Sequence, residues 1–248
     1  MIQIENLWKR LGDTEVFKGV TLDVKKGEFL ALIGMSGTGK SVLLKHIAGL
    51  MKPDRGRILV DGIDVTNARF RDLEKIRSRF GFVFQNGALF DSMTVFDNVA
   101  FPLREKTTLT EREISVRVRR ELEQVGLTGA EEKVPSQLSG GMIKRAALAR
   151  ALVRDPEIVF FDEPTTGLDP IIARSILRLF DASHKRLNLT GVLVSHDIPD
   201  IFGIVQKVAM LHEGELVALE DSEGILRCPH PVVDQFVHGR IDGPIQYK

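Results

Sequence analysis

The sequence predicts an α/β fold built on a mainly parallel sheet, with an N-terminal antiparallel β subdomain and an inserted α-helical subdomain. Two features favour this fold. Residues 29–33 and 158–161 are short, wholly apolar runs, which are typical of strands buried on both faces. Segments whose apolar residues recur at helical spacing follow such runs, and alternating strands and helices are typical of a parallel sheet covered by helices.

Local patterns place the individual elements. Residues 2–4 and 20–24 alternate between apolar and polar side chains, which predicts two strands before the buried strand at 29–33. The other predicted elements are a helix at 40–50, a strand within 54–62, a charged helix at 69–79, a strand at 81–84, a mostly helical stretch at 86–154, a strand at 158–161, a helix at 171–186, a strand at 192–195, a helix at 198–205, and strands at 208–212 and 216–220.

We interpret the 248 residues as one domain, 1–248. Its predicted core covers residues 1–86 and 155–227, and the helical subdomain is predicted at 87–154. Residues 228–248 contain several prolines together with Gly239 and Gly243, which predicts an irregular C-terminal arm.

Composition argues against a nucleic-acid partner, a disulfide framework and a membrane-spanning segment. The chain has 34 Lys and Arg against 34 Asp and Glu, so no excess of positive charge favours a nucleic-acid partner. Cys228 is the single cysteine, which excludes a disulfide framework and fits a reducing cytosol. No apolar run is long enough to cross a bilayer, and the first residues lack the pattern of a signal peptide. We therefore expect any membrane role to depend on a partner protein.

A glycine-rich stretch between a predicted strand and a predicted helix matches the phosphate-loop pattern. Its residues are Gly34, Met35, Ser36, Gly37, Thr38, Gly39, Lys40 and Ser41. The glycines allow backbone N–H groups to approach phosphates, and the helix N-terminus adds partial positive charge. Lys40 is expected to reach the β- and γ-phosphates and Ser41 to bind Mg²⁺. The alternative is a tight glycine-rich turn without a ligand.

Polar residues at the ends of three predicted strands are further candidates. Asp162 follows an apolar strand, where a carboxylate can hold Mg²⁺, and Glu163 comes next and can accept a proton from water. Gln85 and His196 also follow strands, at the carboxyl edge where such sheets bind ligands. The alternatives are an ordinary strand end, a solvated loop glutamine and a structural histidine. The other histidines are expected to be structural.

A second candidate for anion binding is the stretch Ser139, Gly140 and Gly141, between Leu138 and Met142. Ser139 can cap the helix that follows, and the first turn of that helix presents backbone N–H groups to an anion. A plain helix cap would explain the same residues.

Together these motifs resemble the nucleotide-binding subunits of ATP-binding-cassette (ABC) transporters, over nearly the whole chain. In that resemblance residues 34–41 are the Walker A loop, Gln85 is the Q-loop, and residues 138–142 are the signature. Asp162 and Glu163 form the Walker B pair, Asp169 lies in the D-loop, and His196 is the switch histidine. Four stretches are similar to the ATPases of bacterial phospholipid transporters of the Mla or Mce type: residues 87–105, 142–151, 234–236 and 239–244.

The resemblance implies ATP hydrolysis by a head-to-tail homodimer that holds two ATP molecules, with Mg²⁺ bound by Ser41, Gln85 and Asp162. It implies catalytic roles for Lys40, Gln85, Glu163 and His196. Nucleotide contacts are implied from the loop and from Val42, Ser139, Gly140, Gly141 and Asp169. Leu11 stands about where the family has an aromatic residue against adenine, so apolar contact is expected there.

The resemblance implies that the chain binds peripherally at the cytoplasmic face of the bacterial inner membrane. The implied partners are an integral membrane permease, a small cytoplasmic accessory protein and a periplasmic lipid-binding protein. The cargo predicted by the narrower resemblance is phospholipid. Alternatives are an ABC ATPase for an amino acid, a metal ion or an organic solvent, a soluble cassette ATPase of DNA repair or translation, and a phosphate-loop kinase.

Overall fold

The computed structural model of the chain describes residues 1–196 and 198–246. The chain divides into two compact units. The first consists of Met1–Ser78 and Leu189–Lys248, and the second of Arg79–Asn188.

The described residues form ten strands and seven α-helices. The strands are β1 (Ile2–Leu11), β2 (Thr14–Val24), β3 (Phe29–Ile33), β4 (Arg55–Val60), β5 (Ile63–Asp64), β6 (Phe80–Val83), β7 (Ile158–Asp162), β8 (Thr190–Val194), β9 (Lys207–His212) and β10 (Glu215–Asp221). The helices are α1 (Lys40–Ile47), α2 (Phe70–Arg77), α3 (Val95–Lys106), α4 (Glu111–Gln124), α5 (Gly140–Leu152), α6 (Pro170–Leu187) and α7 (Pro231–Val237).

The first unit begins with an antiparallel sheet in the strand order β2-β1-β4-β5. β1 and β2 form a hairpin in which Leu11 lies opposite Thr14 beside the turn. Ile2, Ile4 and Leu7 are fully buried, so one face of β1 packs into the core. The hairpin is longer than the sequence pattern predicted, because shifts in the pairing register interrupt the alternation after Ile4.

The first unit also contains strands in the order β10-β9-β3-β8. β3 is parallel to both β8 and β9, and all residues of β3 and β8 are buried. Parallel strands end at the same edge of a sheet. The chain therefore leaves β3 at Gly34 and β8 at Ser195 along one edge, and the Ser195 N–H donates to the Leu32 carbonyl at 3.4 Å.

The second unit combines the parallel pair β6 and β7 with helices α3 to α6. The Phe160 ring of β7 lies 5.2 Å from the Phe80 ring and 4.8 Å from the Phe82 ring of β6, so aromatic contacts hold the pair together. Thr110 and Glu113 form a capping box that begins α4. In α5 the run 146–149 is fully buried.

The predicted α/β fold with a mainly parallel sheet, an antiparallel β part and inserted helices is confirmed. The helix predicted at 198–205 is wrong, because only Asp200–Gly203 forms a 3₁₀ helix. Pro199 has no N–H to donate and Gly203 is a poor helix former, which limits the segment. The prediction that residues 228–248 are irregular is wrong for their first part, because α7 begins at Pro231. The boundaries predicted for the core, the helical subdomain and the arm stay predictions.

Candidate nucleotide-binding site

The glycine-rich stretch forms the predicted loop between a buried strand and a helix. β3 ends at Ile33, and α1 begins at Lys40. Gly39 occupies the N-cap position with φ +96°, and the first turn of α1 contains no acidic residue. A first turn with neither a capping side chain nor a carboxylate favours an anion at its N-terminus.

The loop packs against β2 and α1 of the same unit. A methyl group on Gly39 would lie 2.6 Å from Cγ1 of Val16 and 3.1 Å from Cε1 of Phe17. The buried Phe17 ring meets the His46 ring edge-on, with centroids 5.5 Å apart. His46 is 1% exposed and its Nδ1 lies 2.8 Å from the Val42 carbonyl oxygen. Burial lowers the pKa of His46, which fits the structural role expected for it.

Lys40 is held against the loop. It is 5% exposed, and its Nζ donates to the carbonyl oxygens of Gly34 and Met35, both at 2.8 Å. The Thr38 hydroxyl donates to the Met35 carbonyl at 2.9 Å. At the tip of the loop, Ser36 and Gly37 are exposed. In the first turn of α1, Ser41 and Val42 are half-buried.

A cavity of about 670 Å³ lies beside the loop in the first unit. It is lined by the start of β2 (Thr14, Glu15, Val16, Lys18), the loop (Met35, Ser36, Gly37, Thr38), the turn between β9 and β10 (His212, Glu213, Gly214) and the C-terminal arm (Pro244, Ile245, Gln246). Small-molecule sites usually have volumes of roughly 300–1,000 Å³, so the cavity is large enough for a nucleotide.

Leu11, the residue assigned to adenine, and the nearby aromatic residues Trp8 and Phe17 lie outside the described lining of this cavity. Leu11, at the end of β1, is 40% exposed and is absent from the residues described as lining the cavity. The Trp8 indole N–H donates to Oδ1 of Asn6 at 3.0 Å, and Phe17 is buried under the loop. The adenine contact assigned to Leu11 stays a prediction.

In the second unit, β7 ends at the predicted carboxylate pair. Residues 158–161 are buried, whereas Asp162 and Glu163 are half-buried. Glu163 has φ +45°, a value uncommon outside glycine, which turns the chain out of the strand. The Thr166 hydroxyl donates to Oε2 of Glu163 at 3.1 Å, so one oxygen of this carboxylate is positioned by a neighbour.

Gln85 is exposed immediately after β6, and two cations of α5 fix the backbone of residues 85–88. Nζ of Lys144 donates to the Gln85 carbonyl, and the Arg150 guanidinium donates to the carbonyls of Gly87 and Ala88, each at 2.7 Å. Burial lowers the pKa of both Lys144 and Arg150. The sequence analysis missed these anchors, although a charged residue beside the apolar run 146–149 was a signal for them.

Ser139 caps α5 as predicted, because its hydroxyl accepts from the Met142 N–H at 3.3 Å. Gly140 and Gly141 lie against the start of α6, where added methyl groups would lie 3.2 Å from Leu168 and 2.8 Å from Ile172. Ser139 and Gly140 are exposed. The first turn of α5 is therefore compact and carries few side chains.

Asp169 also caps a helix. Its Oδ1 accepts from the backbone N–H groups of Ile171 and Ile172, both at 3.1 Å, at the start of α6. This role fixes the side chain within its own unit, and the nucleotide contact assigned to Asp169 stays a prediction.

His196 is exposed at the carboxyl edge of β8, in the first unit. It lines a cavity of about 520 Å³ together with Pro199, Gln235 and Ile245. The sequence analysis missed the arm residues that line both cavities, because one sequence carries no signal for where an irregular tail packs.

The loop, the anion-favouring start of α1 and the adjoining cavity define a phosphate-loop nucleotide-binding protein. Comparison with known families identifies the kind of nucleotide-binding protein. The profile of the ABC transporter family matches residues 17–166, and the chain belongs to this family. It is the ATP-binding and ATP-hydrolysing subunit of a transporter.

Similar proteins support this assignment over the full chain. The Haemophilus influenzae intermembrane phospholipid transport system ATP-binding protein MlaF is 44% identical over 248 residues, which is 100% of this chain and 94% of that protein. The Mycobacterium leprae probable ribonucleotide transport ATP-binding protein mkl is 44% identical over 98% of this chain and 70% of that protein.

Solved structures show the same fold. The ATP-binding cassette MJ0796, in a dimeric post-hydrolysis state bound to ADP and Pi, matches with a TM-score of 0.81 and 33% identity over 90% of this chain and 99% of that chain. The cbiO1 subunit of the Clostridium perfringens cbiONQ transporter matches with a TM-score of 0.84 and 32% identity over 97% and 95% of the two chains. None of the described helices is long and apolar enough to span a membrane.

Proposed function

We propose that this chain drives phospholipid transport between the inner and outer membranes of a bacterium, from the cytoplasmic face of the inner membrane. The observation that carries the proposal is the 44% identity to the Haemophilus influenzae phospholipid transport protein, which extends over 94% of that protein and includes the C-terminal arm. The mycobacterial relatives named for ribonucleotide transport are equally similar but longer, since the chain spans 70% of the first of them. Another cargo is therefore the alternative to test.

The proposed chemistry uses positioning and charge. Lys40, already held against the loop by two carbonyls, contacts the β- and γ-phosphates, and the first turn of α1 stabilises their charge. Glu163, with one oxygen positioned by Thr166, orients the attacking water and accepts its proton. His196 contacts the γ-phosphate from the carboxyl edge of β8.

We propose that three side chains together hold Mg²⁺. Ser41 offers a hydroxyl, Asp162 a carboxylate and Gln85 an amide oxygen, and hard oxygen donors of this kind are the ligands that Mg²⁺ prefers. Asp162 is half-buried at the end of its strand, which fits a carboxylate that faces a ligand. When bound, the ion would neutralise charge on the phosphates.

We further propose that two copies of the chain meet head to tail and hold ATP between them. Ser139 and Gly140 are exposed at the start of α5, where N–H groups can receive the γ-phosphate held by the loop of another copy. At the start of α6, Ile171 and Ile172 are 80% and 38% exposed, and two adjacent exposed apolar side chains support a protein interface there. Asp169, the cap of α6, would lie at this interface.

A second surface supports a membrane permease as partner. In the second unit a groove of about 370 Å³ is lined by Phe80, Phe82, Phe84, Phe90, Phe101, Pro102 and the arginines Arg150 and Arg154, together with Gly81, Ala88 and Ala151. Phe84 and Phe90 are 41% and 42% exposed, and exposed aromatic side chains are typical of interface cores. We propose that a helix of the permease docks in this groove. A small cytoplasmic protein and a periplasmic lipid-binding protein complete the proposed assembly.

The cargo is tested by isolating the assembly from its own membranes. The affinity-tagged chain is purified in mild detergent, its partners are identified by mass spectrometry, and the bound lipids are extracted and quantified. The proposal predicts a permease with enriched phospholipid. A permease without phospholipid, in an assembly whose ATPase activity responds to an amino acid or a nucleoside, would contradict the proposal.

A matched pair of variants, Phe84→Ser in the groove and Phe70→Ser at an exposed site in α2, separates loss of permease docking from general surface effects.

A further inference from the structure

Residues 239–246 are the described part of the predicted C-terminal arm that follows α7, and they are called the arm below. The arm forms part of the wall of the cavity beside the phosphate loop, which is called the nucleotide cavity below. Among the residues described as lining the cavity, four have apolar side chains: Val16, Met35, Pro244 and Ile245. Two of the four belong to the arm. Ile245 is 6% exposed, so it is packed into the first unit although it lies close to the end of the chain.

A buried glutamine holds Ile245 in place. Gln235 of α7 is 3% exposed, and its amide oxygen accepts from the Ile245 N–H at 2.7 Å. Its amide nitrogen donates to the carbonyls of Ile245 and Ile241, at 3.1 and 3.3 Å. Burying an amide is costly unless its polar atoms are paired, so these bonds favour one position of the arm.

The fit between the arm and Gln235 is tight. A methyl group on Gly243 would lie 2.4 Å from both Cδ and Oε1 of Gln235, closer than non-bonded atoms can approach. Arg240 ties the first residues of the arm to α7, because its guanidinium lies 2.7 Å from Oδ2 of Asp234. The backbone of the arm is therefore set by α7.

Ile245 is also a shared wall between two cavities. It lines the nucleotide cavity of about 670 Å³ and the cavity of about 520 Å³ that contains His196. Gln235 lines the second cavity as well. Displacement of Ile245 would therefore remove one of the four apolar side chains of the first cavity and change the lining of both cavities.

We propose that the arm provides the apolar surface against which the base of the nucleotide packs, and that Gln235 is the positioning residue for that surface. The proposal rests on the nucleotide site described above. It explains how a base is held in a cavity whose described lining contains no Phe, Tyr or Trp, since Val16 and Ile245 offer aliphatic contact instead. The expected specificity is for a purine nucleotide, whose base has a large apolar face.

The test compares ATP with inorganic tripolyphosphate, which has the phosphates but no base. Dissociation constants are measured by titration calorimetry for the wild type, Ile245→Ser and the matched control Ile241→Ser, whose side chain is 87% exposed on the same arm. We expect Ile245→Ser to weaken ATP binding about tenfold, because an apolar contact is lost, and to leave tripolyphosphate binding unchanged. Ile241→Ser should change neither.

Gln235→Met keeps the volume of the side chain and removes its hydrogen bonds, and Gly243→Ala forces the arm away from Gln235. Both should reproduce the selective loss of ATP affinity and reduce the preference for ATP over CTP, a readout that a merely structural role would not move. Unchanged ATP binding in Ile245→Ser, or equal losses for ATP and tripolyphosphate, would overturn the proposal. Failure of the wild type to bind either ligand would instead overturn the nucleotide site itself, and with it this inference.

Discussion

Because Gly39 packs against β2, we expect a methyl group at this position to lower the free energy of unfolding. Gly39→Ala places a methyl group 2.6 Å from Cγ1 of Val16 and 3.1 Å from Cε1 of Phe17, in a residue with φ +96°. The left-handed backbone costs about 1–2 kcal/mol for an L-residue. Overpacking adds about 1–3 kcal/mol, because Phe17 is buried and cannot move away without disturbing His46.

Gly37→Ala is the matched control. Gly37 has φ +81°, and no atom lies within 4 Å of an added methyl group. It therefore carries the backbone cost without the overpacking cost. Urea unfolding of both variants without nucleotide should show Gly39→Ala less stable than Gly37→Ala by about 1–3 kcal/mol. Equal free energies of unfolding would refute the claim that the loop is packed against β2.

Four further predictions test the site and its supports. Glu163→Gln should bind ATP but hydrolyse it at least about a hundredfold more slowly in a phosphate-release assay, and near wild-type turnover would reject Glu163 as the base. Lys40→Ala should weaken ATP binding at least about tenfold by calorimetry, since hydrogen bonds to charged groups contribute about 1.5–3 kcal/mol; unchanged affinity would mean that the loop is misassigned. Lys144→Met should lower ATPase activity several-fold without changing the ATP dissociation constant, because the Gln85 carbonyl loses its donor, while Lys144→Arg should retain activity. The wild type should lose stability as the pH falls below about 6.5, where the unfolded state protonates His46 but burial keeps the folded pKa lower; His46→Leu should flatten this part of the urea-unfolding profile, and an unchanged slope would contradict the assignment.

The sequence predicted the parts of the structure that depend on local pattern. The buried strands β3 and β7, the loop before Lys40 and the cap at Ser139 follow from apolar runs, glycine spacing and a capping residue, and each has the predicted form. These features need only neighbouring residues, which one sequence contains.

The features that the sequence did not predict depend on contacts between distant residues. Gln235 meets Ile245 across a turn, and Lys144 reaches the Gln85 carbonyl from a helix 59 positions later. No periodicity encodes such pairs. At 198–205 the prediction failed for a local reason. The apolar pattern favoured a helix, but Pro199 and Gly203 limited it to a short 3₁₀ segment.

We propose that ATP is enclosed only when two copies of the chain meet. The most direct measurement is the sedimentation mass of Glu163→Gln with saturating ATP and Mg²⁺, compared with ADP. We expect about twice the protomer mass with ATP and the protomer mass with ADP. ATP has a γ-phosphate for the exposed first turn of α5 of the other copy to bind, whereas ADP lacks it. A variant that binds ATP fully and sediments as one protomer at high concentration would contradict the account.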